Sequence, residues 1–289
     1  MKLLAVSGGV DSMLMAYKYK DKNVVVAFVN YNLRNDTHID EKIVDNFCKK
    51  YNIKLEKLIL DENNNPKSNF ENWARNVRYD FFKKIYKKYN CNQLILAHHK
   101  DDFLETCLMQ KEKNETKLFY GIKKRLSYKE MKIFRPFLNK YWKSEIYELA
   151  NKLKIDYHDD YTNLDIKYAR NKIRKELSKY SNDEKNKMLT FFNDINKKNI
   201  NIIKNINNEY KIWRKSSFST NNFVEFKYKE ELLKKFINLR QQNINLSKNI
   251  VKNIIDFIIS KNNKSSFILT NNNYLIKKKN KLHFIKNKI

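Results

Sequence analysis

The sequence predicts an α/β fold, a parallel sheet with helices on both faces, followed by a small helical or α+β domain. Three observations predict it. Four short, continuous apolar runs, at 3–6, 24–29, 55–60 and 94–97, have the length and β-branched content of strands buried on both faces. Amphipathic stretches over 11–19, 38–50 and 70–89 alternate with them, which is the order of a parallel sheet joined by right-handed crossovers. The chain holds only 3 glycines, and Gly8 and Gly9 stand side by side where the first run ends. That is the sheet edge at which ligands of open α/β folds bind.

The second half reads differently. Residues 182–215 are helical, polar and rich in Asn and Lys, with Ile195, Ile202, Ile206 and Trp213 at packing positions. This stretch is expected to close a first domain, 1–215, as a connecting helix. Residues 230–239 and 248–259 are again helix-like. From 267 to 284 short apolar alternation is broken at Asn271-Asn272-Asn273 and Lys279-Asn280, as in a hairpin or meander. A small second domain, 216–289, is expected there. No internal repeat is present.

Composition narrows the partners. The 60 Lys and Arg against 32 Asp and Glu leave a formal charge of +28 on 289 residues. Such an excess attracts a polyanion, nucleic acid first and an anionic membrane surface second. Lys, Asn and Ile crowd the whole chain, so part of the charge is solvated surface. Cys48, Cys91 and Cys107 form no CxxC pair, which fits a reducing compartment without disulfides or a thiolate metal site. The apolar start is too short for a signal peptide, and no stretch approaches the ~18 uncharged apolar residues of a membrane span. A cytoplasmic protein with no membrane partner is expected.

The chemistry concentrates in Ser7-Gly8-Gly9-Val10-Asp11-Ser12. A strand ends and a helix begins here, so backbone N–H groups point at an anion. No GxxxxGK[ST] is present, so this is not the loop with its own phosphate-binding lysine. Asp11 offers a carboxylate for Mg²⁺ on bound phosphates. An ordinary βα turn capped by Ser or Asp is the plain alternative.

SGGVDS resembles the motif of the PP-loop ATP pyrophosphatases, which split ATP between its α- and β-phosphates. Further stretches narrow the resemblance to the tRNA(Ile)-lysidine synthetase family. They are NYNLR at 30–34, ENWARNVRY at 71–79, AHHKDDFLET at 97–106, Arg135-Pro136, and DYTNLDIKYARNKIR at 160–174. Together they span 1–180 in the family's order. The resemblance implies a PP-loop nucleotide-binding sheet with Ser7, Gly8, Gly9, Val10, Asp11 and Ser12 on ATP. It implies a ligase that adenylates the C2 carbonyl oxygen of the wobble cytidine of tRNA(Ile) with anticodon CAU. Free L-lysine then displaces AMP through its ε-amine. By position in the family, 216–289 docks tRNA; a homodimer is left open. Phe28 and Tyr31 stand where the family carries histidines, Asn32 where it carries glycine, and 109–113 where it carries an Arg-Gly-rich turn.

The residues themselves suit that chemistry. On the third helix Phe70, Ala74, Val77 and Phe81 are expected to face the sheet, with Glu71, Arg75 and Arg78 on another side. Arg75 and Arg78 could neutralise phosphate charge, and surface i,i+4 ion pairs are the alternative. His98 lies at the end of the fourth run, with Asp102 and Glu105 one helical turn apart beyond it. Two carboxylates there could clamp the amines of lysine and help remove a proton from one whose pKa is ~10.4; a capping, solvated acidic turn would look the same. Arg170 and Arg174 share a helix face apt for phosphate or the tRNA backbone, or merely a basic stripe.

A tRNA thiolase is the competing enzyme, disfavoured by the lack of CxxC. A non-catalytic RNA-binding protein is the competing class, disfavoured because Gly8, Gly9, Asp11, Asp102 and Glu105 all stand.

Overall fold

The computed structural model describes residues 1–32, 36–61, 66, 69–112, 117–159, 169–241, 244, 246–260, 266–270 and 273–286, the side chains of 169–171 excepted. They form two compact units, Met1–Ile195 and Asn196–Ile289.

In the first unit the strands β1 (Lys2–Val6), β2 (Val24–Asn30), β3 (Lys54–Ile59), β4 (Gln93–Ile95), β5 (Arg125–Tyr128) and β6 (Met131–Phe134) make one sheet. Its order is β3-β2-β1-β4-β6-β5. All neighbours are parallel except β5, which runs antiparallel to β6 at the edge. Successive side chains of a strand point to opposite faces, and both faces here are covered. Leu4, Val6, Val24, Val26 and Phe28 pack on α1 (Val10–Tyr19), α2 (Thr37–Lys50) and α5 (Lys143–Lys152). Leu3, Val25 and Ala27 pack on α3 (Phe70–Lys88). A third cluster joins Phe103, Leu104 and Cys107 of α4 (Lys100–Glu112) to Ile173 and Leu177 of α6 (Ala169–Leu177) and Phe192 of α7 (Asn182–Lys198).

Some expectations need correction. The run 55–60 was expected to be a fully buried strand. It is the edge strand β3, whose residues are all half-buried or exposed, with Ile59 53% exposed. The buried stripe of α3 consists of Ala74, Tyr79, Phe82 and Ile85, not Phe70, Ala74, Val77 and Phe81. Phe70 is drawn instead into an aromatic group with Trp73 and Tyr31, ring centroids 5.6 Å and 6.0 Å away. The β5–β6 hairpin and α5 carried no expectation: each strand has four residues, and their mixed polarity hides the pairing.

In the second unit, α8 (Ile200–Lys215), α9 (Thr220–Glu225), α10 (Lys229–Asn238) and α11 (Lys248–Ile259) accompany an antiparallel meander, β7 (Ser266–Thr270), β8 (Asn273–Lys278) and β9 (Lys281–Lys286). The stretch 182–215 is therefore two helices, and the compact units divide between Ile195 and Asn196 within it. Trp213 explains why α8 belongs with α9 and α10. It is 0% exposed, its ring lies 4.7 Å from Phe223 and 5.3 Å from Phe218 and Phe236, and its indole N–H donates to the Ser219 carbonyl at 2.9 Å. The meander turns at Lys279 and Asn280, both with positive φ, the backbone of a tight hairpin. Asn271 and Asn272 lie outside the described residues.

Candidate active site

Strand order decides where the site lies. From β1 the chain continues to β2 on one side, while β4 pairs on the other. The carboxyl ends of β1 and β4 therefore flank a topological switch point, where an open sheet leaves a crevice. A cavity of about 1230 Å³ opens there, lined among others by Asp11, Arg78, His98, Asp102, Glu105 and Lys143.

The loop after β1 is shaped by its two glycines. Gly8 has φ +87°, and a Cβ on it would sit 2.8 Å from Cβ of Asp40. No side chain fits there, and the backbone is left-handed as well. Gly9 caps α1 in extended conformation. Ser12 ties the turn: its Oγ accepts from the Ser7 N–H at 3.0 Å and donates to the Gly9 carbonyl at 2.9 Å. The Gly8 carbonyl accepts from the His158 N–H at 3.1 Å, and His158 Nδ1 stands 3.2 Å from Asp40 Oδ1. Ser7, Gly9, Val10, Asp11 and Ser12 all line the cavity.

Asp11 points into it from the first turn of α1. Its Oδ2 accepts from Lys143 Nζ at 2.7 Å. Its Oδ1 is buried without a hydrogen-bond partner, since His99 Nε2 at 3.7 Å is too far for one. Among the described residues no group of three side chains could enclose a metal ion. A lone buried carboxylate oxygen nevertheless fits Mg²⁺, which takes one or two carboxylates and draws its other ligands from phosphate and water.

The loop after β4 delivers the acidic group. Helix α4 starts at Lys100, so Asp102 occupies its third position and reaches back to accept from the His99 N–H at 2.9 Å, half of a capping box. Glu105, one turn on, is 1% exposed and receives Arg174 Nε at 2.8 Å and Nη2 at 3.4 Å. That contact is the pairing of α4 with α6 expressed in charge. Burial works against the Arg174 cation, but Glu105, helped by Asp102 and Asp11, outweighs it and raises its pKa.

Residues given no role of their own in the sequence analysis complete the site around His98. His99 is 6% exposed among three carboxylates, with Asp101 Oδ2 at 3.3 Å, Asp102 Oδ2 at 3.4 Å and Asp11 Oδ1 at 3.7 Å. Burial opposes its charged form, yet the carboxylates, Asp102 first, hold its pKa above the ordinary value. Asp101 caps nothing on its own helix. Its Oδ2 accepts from the Lys143 N–H at 2.8 Å and its Oδ1 lies 3.3 Å from Lys185 Nζ, binding α4 to the starts of α5 and α7. Arg135 is 3% exposed and donates from Nε to His98 Nδ1 at 3.3 Å. Acceptance at Nδ1 sets a neutral His98 ring with its proton on Nε2. His98 carried an expected role, and His99, Asp101 and Arg135 stand in the stretches that carry the resemblance; Lys143 and Lys185 come from distant helices.

Arg75 and Arg78 are exposed on α3 and line the cavity, Arg75 over the Tyr79 ring at 4.8 Å. Arg170 belongs to α6, but its side chain lies outside the described residues, as do 160–168 and Leu33 and Arg34 of the NYNLR stretch. Asn32, in the family's glycine position, has φ 48° and donates to the Leu60 carbonyl at 2.7 Å. Asparagine tolerates that left-handed backbone. Tyr31 donates to the Ala74 carbonyl at 2.9 Å. Cys48, Cys91 and Cys107 are all buried and none lines the cavity; burial pushes the Cys48 thiol up to about 12.

A family model described as a PP-loop domain matches residues 1–181. The tRNA(Ile)-lysidine synthase of Mycoplasmopsis pulmonis is 43% identical over 99% of this chain and 100% of its own length. That of Mesomycoplasma hyopneumoniae is 40% identical over 97% and 94%, and that of Malacoplasma penetrans 36% over 91% and 90%. Among solved structures the U34-tRNA thiolase NcsA of Methanococcus maripaludis superposes with a TM-score of 0.54 at 20% identity, over 68% of this chain and 71% of its own, a likeness of fold alone. With the glycine loop, the buried acidic pair and relatives matched from end to end, the chain belongs to the PP-loop family and, within it, to the tRNA(Ile)-lysidine synthases.

Proposed function

We propose that the protein converts the wobble cytidine of tRNA(Ile) with anticodon CAU to lysidine, using ATP and free L-lysine and releasing AMP and pyrophosphate. One observation carries the reading: a single cavity gathers the glycine loop, the arginines of α3 and the buried Asp102 and Glu105. Anion-binding and amine-binding chemistry thus face one space large enough for a nucleotide, a base and an amino acid.

The residues divide by chemistry. Ser7, Gly8, Gly9, Val10 and Ser12 present the loop backbone to the phosphates of ATP. Asp11 would hold Mg²⁺, which when bound offsets phosphate charge. The C2 carbonyl oxygen of cytidine attacks the α-phosphorus, and the bond to the β-phosphate breaks. Arg75 and Arg78 stand where charge grows on the phosphates. Asp102 and Glu105 hold lysine, and the acidic group takes the proton that the ε-amine must lose before it attacks C2 and expels AMP; His98, its Nδ1 engaged by Arg135, offers a donor at Nε2. Arg174, 41% exposed beside Glu105, and Arg170 would meet phosphates of the RNA backbone. The second unit docks tRNA, and the setting is the cytoplasm. Among the described residues no helix is long and apolar enough to cross a membrane.

The test is nucleoside mass analysis of tRNA incubated with the protein, ATP and lysine. A lysine adduct on cytidine in tRNA(Ile) alone is expected; unmodified tRNA with intact ATP would overturn the reading. For docking, affinity should fall with salt at a log–log slope of about −0.7 to −0.9 per neutralised phosphate. Lys277 is not part of that footprint: its Nζ turns inward to the Ser260 carbonyl at 2.8 Å, over the Phe257 ring.

A further inference from the structure

The loop after β1 has no lysine of its own, yet a lysine reaches it from far away in the chain. Lys143 is the first residue of α5, and its backbone N–H is pinned by Asp101 at 2.8 Å. That anchor aims the side chain across the cavity mouth to Asp11, Nζ 2.7 Å from Oδ2. The Lys143 side chain is 35% exposed, so its ammonium keeps access to the cavity. Lys185 also lines the cavity but is only 13% exposed, held by Asp101 and lying 5.7 Å from the centre of the Trp142 ring. Of the two, Lys143 is the one whose partner faces the nucleotide.

We propose that Lys143 is a pyrophosphate-binding residue, exchanging Asp11 for the β- and γ-phosphate oxygens when ATP enters. The inference rests on the reading of the glycine loop as an ATP site. Two cations, Mg²⁺ and the ammonium, would otherwise crowd one carboxylate, while the incoming phosphates carry the anionic charge that Lys143 lacks once it leaves Asp11. When the cytidine oxygen bonds to the α-phosphorus, the bridging bond to the β-phosphate breaks and its electron pair departs on pyrophosphate. Lys143 stabilises that leaving charge as an ammonium and gives up no proton. A lysine on α5 thereby does what the loop's own lysine does in GxxxxGK[ST] proteins.

The test is calorimetric binding of pyrophosphate and, separately, of AMP to the full chain in Mg²⁺, for wild type, Lys143→Met and Lys143→Arg. Lys143→Met should weaken pyrophosphate about tenfold or more, the scale of one charged hydrogen bond, with AMP changed less than twofold. Lys143→Arg should recover most of the loss. In turnover, the pyrophosphate-releasing step should slow about 100-fold, as when one stabilising donor is removed. Equal weakening of both ligands would show that Lys143 only props Asp11 and the loop, and would overturn the proposal, as would unchanged pyrophosphate binding. Failure of the wild type to make lysidine while these binding differences persist would count against the proposed reaction and leave Lys143 in place.

Discussion

Glu105, 1% exposed, is gripped by the Arg174 guanidinium through two hydrogen bonds, Nε to Oε1 at 2.8 Å and Nη2 to Oε2 at 3.4 Å. A carboxylate so deeply placed cannot stand alone, because a buried unpartnered charge bears its full desolvation cost. Arg174→Ala should therefore lower the stability of the first unit by about 2 kcal/mol, discounted for the partial exposure of the arginine. Exchanging both partners, Glu105→Gln with Arg174→Met, should restore at least half of it. Urea unfolding curves decide; an Arg174→Ala protein as stable as wild type would show that the pair contributes nothing to the fold.

That grip also separates the two carboxylates in function. The ammonium of lysine must share Glu105 with Arg174, whereas Asp102 meets a backbone N–H and His99. Asp102→Asn is accordingly expected to raise the lysine KM about tenfold or more, the worth of one charge-assisted contact, while pyrophosphate release on cytidine continues. Steady-state kinetics with lysine varied, beside a pyrophosphate assay without lysine, measure both. Loss of pyrophosphate release would assign Asp102 to ATP instead.

Gly8 has the most constrained backbone in the site. Gly8→Ala places a methyl group 2.8 Å from Cβ and Oδ1 of Asp40, on a residue with φ +87°. Strain of about 1–3 kcal/mol is expected, and it falls on the loop facing the phosphates. ATP affinity measured by calorimetry should drop tenfold or more, with the meander of the second unit unaffected in its amide exchange. Unchanged ATP affinity would show that the loop adapts.

His99 makes stability depend on pH. Its folded pKa lies above the ordinary 6.5 because Asp102, Asp101 and Asp11 outweigh burial. A raised pKa means that the folded state holds the proton more tightly. The contribution is full below 6.5 and is lost as pH rises through the folded value. Asp101, held below its ordinary 3.8 by His99, Lys143 and Lys185 against burial, acts in the opposite sense and loses its share only on acidification. Unfolding midpoints measured without Mg²⁺ from pH 6 to 9 should decline for wild type and stay flatter for His99→Gln. Parallel curves would place the proton elsewhere.

Much of the fold and of the site is legible in the chain alone. Strand and helix order comes from runs such as 24–29, because a strand buried on both faces must be apolar at every position. Gly8, Gly9, Asp11, Asp102 and Glu105 are legible because loops after β1 and β4 meet at the switch point. Lys143 and Lys185 are not. Each reaches the cavity across more than thirty residues of intervening chain, and nothing local distinguishes them among so many cations. The α3 stripe escapes for a related reason: Phe70 and Tyr79 are both aromatic, and the rings of Tyr31 and Trp73 draw Phe70 away from the sheet.

The left-handed positions of the backbone bear on how the chain folds at all. Asn32, Asn52, Asn69, Asn90 and Asn280 all take positive φ, where other chains often spend glycine. Glycine itself takes positive φ only at Gly8 and Gly121, where a Cβ would strike Asp40 or the Phe103 ring. A chain with so little glycine has fewer conformations to surrender when it folds. The small native cost of bending asparagine is thus set against a less disordered starting point, a saving of use to a protein whose +28 charge works against its own collapse.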